Sequence, residues 1–129
     1  MREIRYYAIM LSSICIIIFI LEFMFPGMVE EYELVSSDVF SRPWIIVTHI
    51  FLHGSLSHLI GNLFALAIFG SVLERVIGSR DFLVIFFMSG IVSSVGDVVF
   101  YDVTLGASGA IFGVLGCLAM VRPKQIVWV

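Results

Sequence analysis

Gly106-Ala107-Ser108-Gly109-Ala110-Ile111-Phe112-Gly113 opens the last long apolar run of the chain, and Arg122, Pro123 and Lys124 close it. Ala107 to Val121 is 15 residues, a helix about 22 Å long at ~1.5 Å rise per residue. The hydrocarbon core of a bilayer is about 30 Å thick. A helix this short that ends at one interface starts several ångström inside the membrane, so Ser108 is expected below the opposite lipid surface. The first N–H groups of a helix lack intrahelical partners, and together with the helix dipole they favour an anion. A hydroxyl beside such donors suits acyl transfer, whose tetrahedral intermediate carries an oxyanion. The same residues also read as a helix cap with glycines for close packing. Gly-x-Ser-Gly is too short to decide between the two.

The rest of the chain sets the class. Its 129 residues make one domain, 60% hydrophobic and 13% charged with a net charge of −3, which excludes a disordered chain and a nucleic-acid-binding one. The apolar residues fall in long runs without amphipathic alternation, the mark of a multi-spanning membrane protein. Cys15 and Cys117 sit in separate apolar runs without metal-ligand spacing and read as small buried hydrophobes.

Four spans are expected, over residues 6–25, 56–77, 81–101 and 107–121. Glu22 lies near the outer end of the first and is expected to have a structural role. Pro26-Gly27 breaks that helix. The acidic segment 26–53 follows, with Phe40, Pro43, Trp44 and Phe51 interleaved, a pattern suited to a loop lying on or in the outer leaflet. Gly78-Ser79 reads as a helix stop followed by an N-cap. Asp102-Val103-Thr104-Leu105 is a tight connection into Gly106, tolerable at membrane depth only if protein covers it. Arg2, Arg5, Arg75, Arg80, Arg122 and Lys124 fall on one side of such a bundle and Arg42 alone on the other. This puts the N-terminus in the cytoplasm and the Ser108 end outward.

A second polar set shares that outer end. His58 and Asn62 are spaced i, i+4 on one face of the second span, within reach of the space beside Ser108. Polar side chains close to lipid are costly unless used or bonded within the bundle, so helix gluing is the competing reading.

With Pro43-Trp44, Thr48, Phe51, His53, His58, Asn62, Glu74, Gly78-Ser79, Phe82 and Gly106-Ala107-Ser108-Gly109 with Gly113 in this order, the chain resembles the rhomboid intramembrane serine proteases. The resemblance runs from about residue 5 to 125. It implies an all-α, polytopic membrane helix bundle in the cell membrane, here a single domain over 1–129 with four of an expected six transmembrane helices. It also implies Ser108 as nucleophile, with the Ser108 N–H, His58 and Asn62 lining the oxyanion hole. His53 would tie the long loop to the bundle, Glu74 would tether helices on the cytoplasmic side, and Gly106, Gly109 and Gly113 would be structural. The implied partners are transmembrane protein substrates and the lipid bilayer, with no cofactor, metal or nucleic acid.

One feature departs from the family pattern. In rhomboid proteases the catalytic histidine lies on a sixth helix, and here no histidine follows His58. A serine without a base in hydrogen-bond reach is a poor nucleophile. The small-residue stripe Gly106, Gly109, Ala110, Gly113, Gly116 and Cys117 is likewise expected to lack a partner helix. Truncation of a complete, active rhomboid is the leading expectation. The alternatives are a short non-catalytic relative that binds transmembrane helices, and a base drawn from His49, His53 or His58. Those three histidines also allow a metal site, but the His-Glu-x-x-His pattern is absent. Asp97 and Asp102 faintly suggest an aspartyl intramembrane protease and read more simply as solvated helix-end acids.

Overall fold

The computed structural model describes residues 3–122; Arg2, Pro123 and Lys124, read above as flanking charges and a helix stop, lie outside them. The first span is α1 (Tyr7–Met24). The long loop that follows is built of short pieces: α2 (Met28–Tyr32), β1 (Leu34–Val35), a 3-10 turn at Ser36–Asp38, α3 (Ile45–Thr48) and a second 3-10 turn at His49–Phe51. The second span, Leu56–Ile77, is α4 (Leu56–Ala65) and α5 (Ser71–Ile77) joined by a π-helical turn at Leu66–Gly70. Then come α6 (Ser79–Phe100), β2 (Val103–Thr104) and α7 (Ser108–Val121).

Three of these spans are long and apolar enough to cross a membrane, and α7 is a shorter apolar helix. The outward faces carry Ile17, Ile20, Ile60, Phe64, Met88, Val92 and Phe112, all exposed. The inner faces meet in one core, where Ala8 and Leu11 of α1 join Leu66, Leu73, Phe82, Phe86, Val114 and Leu118. A bundle apolar on both its inner and outer faces is what lipid requires.

The closest helix pair is α6 with α7, and small residues make it possible. A Cβ on Gly109 would collide with Ser93, and one on Gly113 would collide with Ser89. The stripe expected to lack a partner therefore has one in α6 at these two glycines, while Gly116 faces open space. The expectation failed because serines three to four residues apart can receive glycines as well as another glycine-rich helix can.

At the end of the bundle opposite Ser108, Glu74 is almost wholly buried. Its carboxylate accepts from the Tyr7 N–H (2.8 Å), the Ala8 N–H (2.9 Å) and the Ser79 hydroxyl (2.6 Å). It thus takes up donors at the start of α1, where no α1 side chain caps the helix. Ser79 is not the N-cap expected of it. Gly78, at φ 95°, holds that place, and Ser79 Oγ instead accepts the Arg5 N–H at 2.7 Å.

Two further ties set the Ser108 end. The two-residue strands β1 and β2 pair antiparallel, Leu34 with Thr104 and Val35 with Val103. The Ser36 N–H also donates to the Asp102 carbonyl at 3.0 Å, and the Ser36 hydroxyl donates to the Tyr101 carbonyl. The long loop thereby clasps the connection that leads into Gly106. Within the loop, Arg42 pairs with Asp38 at 2.7 Å and donates to the Glu31 carbonyl, and the Thr48 hydroxyl donates to the Tyr32 carbonyl.

Candidate functional site

Ser108 is the first residue of α7, and Ala107 before it supplies no side-chain cap. The first intrahelical bond of α7 runs from the Ile111 N–H to the Ala107 carbonyl at 2.9 Å. The N–H groups of Ser108, Gly109 and Ala110 precede it, so the unpaired donors expected at this helix start are present. The capping reading of Ser108 does not fit, since a capping hydroxyl belongs one residue earlier.

The approach to Ser108 is fixed from two sides. Gly106 has φ +110° and donates its N–H to the His49 carbonyl at 2.8 Å. A Cβ there would stand 2.7 Å from His58 Cε1 and 3.1 Å from His58 Nε2. Glycine is required by both the dihedral and the imidazole. His58 thus rests on the backbone two residues before Ser108. It is held at the start of α4, where its N–H donates to the capping Ser55 hydroxyl at 3.2 Å.

Behind His58 stands His53, fully buried, with its ring edge-on to the His58 ring at 5.2 Å between centroids. The His53 N–H donates to Glu22 Oε1 at 3.0 Å, so the carboxylate of the first span holds the end of the long loop. Burial, and then the nearby His58, push the His53 imidazole down to about 4 from an ordinary 6.5, which keeps it neutral. Asn62 follows His58 by one helical turn, and its Nδ2 is buried without a protein partner, as are both ring nitrogens of His53. These polar atoms, the Asn62 amide donor and one donor and one acceptor on the neutral His53 ring, have no side-chain or backbone partner among the described residues.

His49 is committed elsewhere. Its Nδ1 donates to the Ile45 carbonyl at 2.8 Å, and its Nε2 pairs with the Ser94 hydroxyl at 3.3 Å. Burial is the main cause lowering its basicity. Among the described residues no histidine hydrogen-bonds Ser108, and no group of three metal-binding side chains occurs.

On its other side Ser108 lines a hollow between α6 and α7, together with Ser93, Asp97, Thr104 and Gly109. Asp97, read above as a solvated helix-end acid, lies in the last turn of α6. It is half-buried and faces this hollow beside Ser108. The signal was legible, because Ser89, Ser93 and Asp97 recur every four residues on one face of an otherwise apolar helix.

The family model described as Rhomboid domain matches residues 41–128. The chain is 44% identical over 79 residues to the Rhomboid protease GluP of Bacillus subtilis, an overlap covering 60% of this chain and 16% of that protein. It is 34% identical over 87 residues to the Rhomboid-like protease 3 of Toxoplasma gondii, covering 66% of this chain and 32% of that protein. It is 31% identical over 102 residues to Rhomboid protein 1, mitochondrial, of Saccharomyces cerevisiae, covering 73% and 30% respectively. The overlap with each of these relatives is therefore a third or less of the relative's length.

Proposed function

This chain belongs to the rhomboid family, and from that premise we propose that it supplies the nucleophile and oxyanion site of an intramembrane serine endopeptidase acting near the outer leaflet. The observation that carries this reading is Ser108 at the uncapped start of α7, with unpaired N–H donors and His58 resting on Gly106 two residues away. A substrate helix unwinds at the outer end of the bundle, and Ser108 Oγ attacks a peptide carbonyl. The oxyanion is held by the Ser108 N–H, His58 and Asn62. The acyl-enzyme is then hydrolysed by water entering from the outer face. The basic residues support a cell-membrane protein with a cytoplasmic N-terminus, since among the described residues Arg5, Arg75, Arg80 and Arg122 lie at one end of the bundle and Arg42 alone at the other.

The proton of Ser108 requires a base. His49 is engaged by Ile45 and Ser94, and His58 is assigned here to the oxyanion. The base is therefore proposed to lie outside the described residues, and the 129 residues alone are expected neither to cleave nor to react with a fluorophosphonate. A second reading is a rhomboid-like protein that binds transmembrane helices without cutting them, which the exposed apolar faces of the bundle would serve equally well.

Cleavage of a single-span reporter by the full gene product in membranes separates the two readings. The protease reading requires Ser108→Ala to abolish cleavage. The binding reading requires Ser108→Ala to leave reporter association unchanged where no cleavage occurs.

A further inference from the structure

Glu22 is the one charged residue of α1. The only hydrogen bond its side chain makes among the described residues leaves its own helix, since Oε1 accepts the His53 N–H across 31 positions of chain. An ionisable group in an apolar span is costly and persists where it holds something. What Glu22 holds is the short link between the 3-10 turn at His49–Phe51 and the start of α4.

That link touches the site twice. Leu52 and His53 within it are each only 1% exposed. The Leu52 carbonyl oxygen lies 3.6 Å from the place a Cβ on Gly106 would take, and the His53 ring stands edge-on to the His58 ring, 5.2 Å between centroids. Neither ring nitrogen of His53 has a partner among the described residues. The position of that ring therefore follows from packing and from its own backbone, which is where Glu22 grips. His58 depends on the result. Its N–H is tied to Ser55, but its imidazole is placed by two surfaces, Gly106 and the edge of His53.

We propose that Glu22 is a positioning residue: by holding the His53 amide it fixes the wall against which the His58 imidazole rests, and so aims His58 at the oxyanion. This rests on the protease reading above. An oxyanion donor acts only from the correct place, and a displacement of about 1 Å caused from a distance can cost about 10²-fold in rate. The oxyanion exists in the transition state and not in the bound substrate, so the loss falls on kcat and spares KM.

The test uses the full gene product in membranes with a single-span reporter. Glu22→Leu and Glu22→Met both suit an apolar span, and neither offers an oxygen acceptor. Each should lower kcat by about 10- to 100-fold with KM within about twofold of the parent. Glu22→Gln keeps a carbonyl acceptor and should recover most of the loss. In a His58→Ala background the same Glu22 substitutions should cost less than about twofold further, because the group they misplace is already gone. Any loss of folded protein enters both backgrounds and cancels in this comparison. An unchanged kcat in Glu22→Leu and Glu22→Met, or an equal fold-loss with and without His58, would overturn the role of Glu22; if Ser108→Ala still abolishes cleavage, the protease reading stands. If no reporter is cleaved in a Ser108-dependent way, the protease reading falls and this inference falls with it.

Discussion

The His58 imidazole lies so close to Gly106 that a single added methyl would sit 2.7 Å from its Cε1. This contact joins the second span to the turn that presents Ser108, and Gly106 adds a backbone φ of +110° that side-chain-bearing residues rarely adopt.

Gly106→Ala is therefore expected to cost about 1–3 kcal/mol of stability from backbone strain and to displace His58 as well. Thermal unfolding in detergent checks the first effect. For the second, reporter cleavage should fall about 10²–10³-fold, as in His58→Ala, since each removes one oxyanion donor. Cleavage by Gly106→Ala at the parental rate would separate His58 from the oxyanion.

The seam between α6 and α7 makes an independent prediction. Gly113→Ala places a methyl against Ser89 and is expected to destabilise by about 1–3 kcal/mol through overpacking. Ser89→Gly in the same chain should recover most of that loss. A double-mutant cycle measures the coupling, and strictly additive effects would contradict the contact.

Glu74 accepts from two backbone amides and one hydroxyl while almost fully buried. Glu74→Ala leaves these donors without their acceptor and should cost about 2–3 kcal/mol. Glu74→Gln keeps one carbonyl oxygen and should cost less. Hydrogen exchange at the Tyr7 and Ala8 amides should accelerate in both, and more strongly in Glu74→Ala.

Acid is expected to weaken the end of the bundle that carries His53. The folded-state value for His53 is about 4 against an ordinary 6.5, so the unfolded chain takes up the proton first as pH falls. The stabilisation is fully present above 6.5 and is lost progressively between 6.5 and 4. His49 is shifted in the same direction by burial. The unfolding temperature should therefore drop from pH 7 to pH 4.5, and His53→Gln should flatten that drop without removing it. An equally steep drop in His53→Gln would contradict a buried neutral imidazole.

Much of this architecture is visible in the residues. The apolar runs gave all four helices to within two residues, because a long, largely apolar run in lipid must satisfy its backbone within the segment. The start of α7 was legible from the distance between Ser108 and the basic pair at its far end. The loop 26–53 was not. Its strands are two residues long, and Leu34-Val35 pairing with Val103-Thr104 leaves no period to detect. The partner of Gly109 and Gly113 was missed because serine was not weighed as a surface against which glycine packs. The π turn at Leu66–Gly70 has no mark in the residues beyond Gly70, where a side chain would meet Ala8, Leu66 and Phe82.

The Glu74 clasp also bears on how the protein is made. Tyr7 and its acceptor are 67 positions apart, so the first helix leaves the ribosome and enters the bilayer before that acceptor has been translated. Its leading amides meanwhile depend on water and headgroups for partners. Only after the second crossing is synthesised can the two helices lock together through this carboxylate.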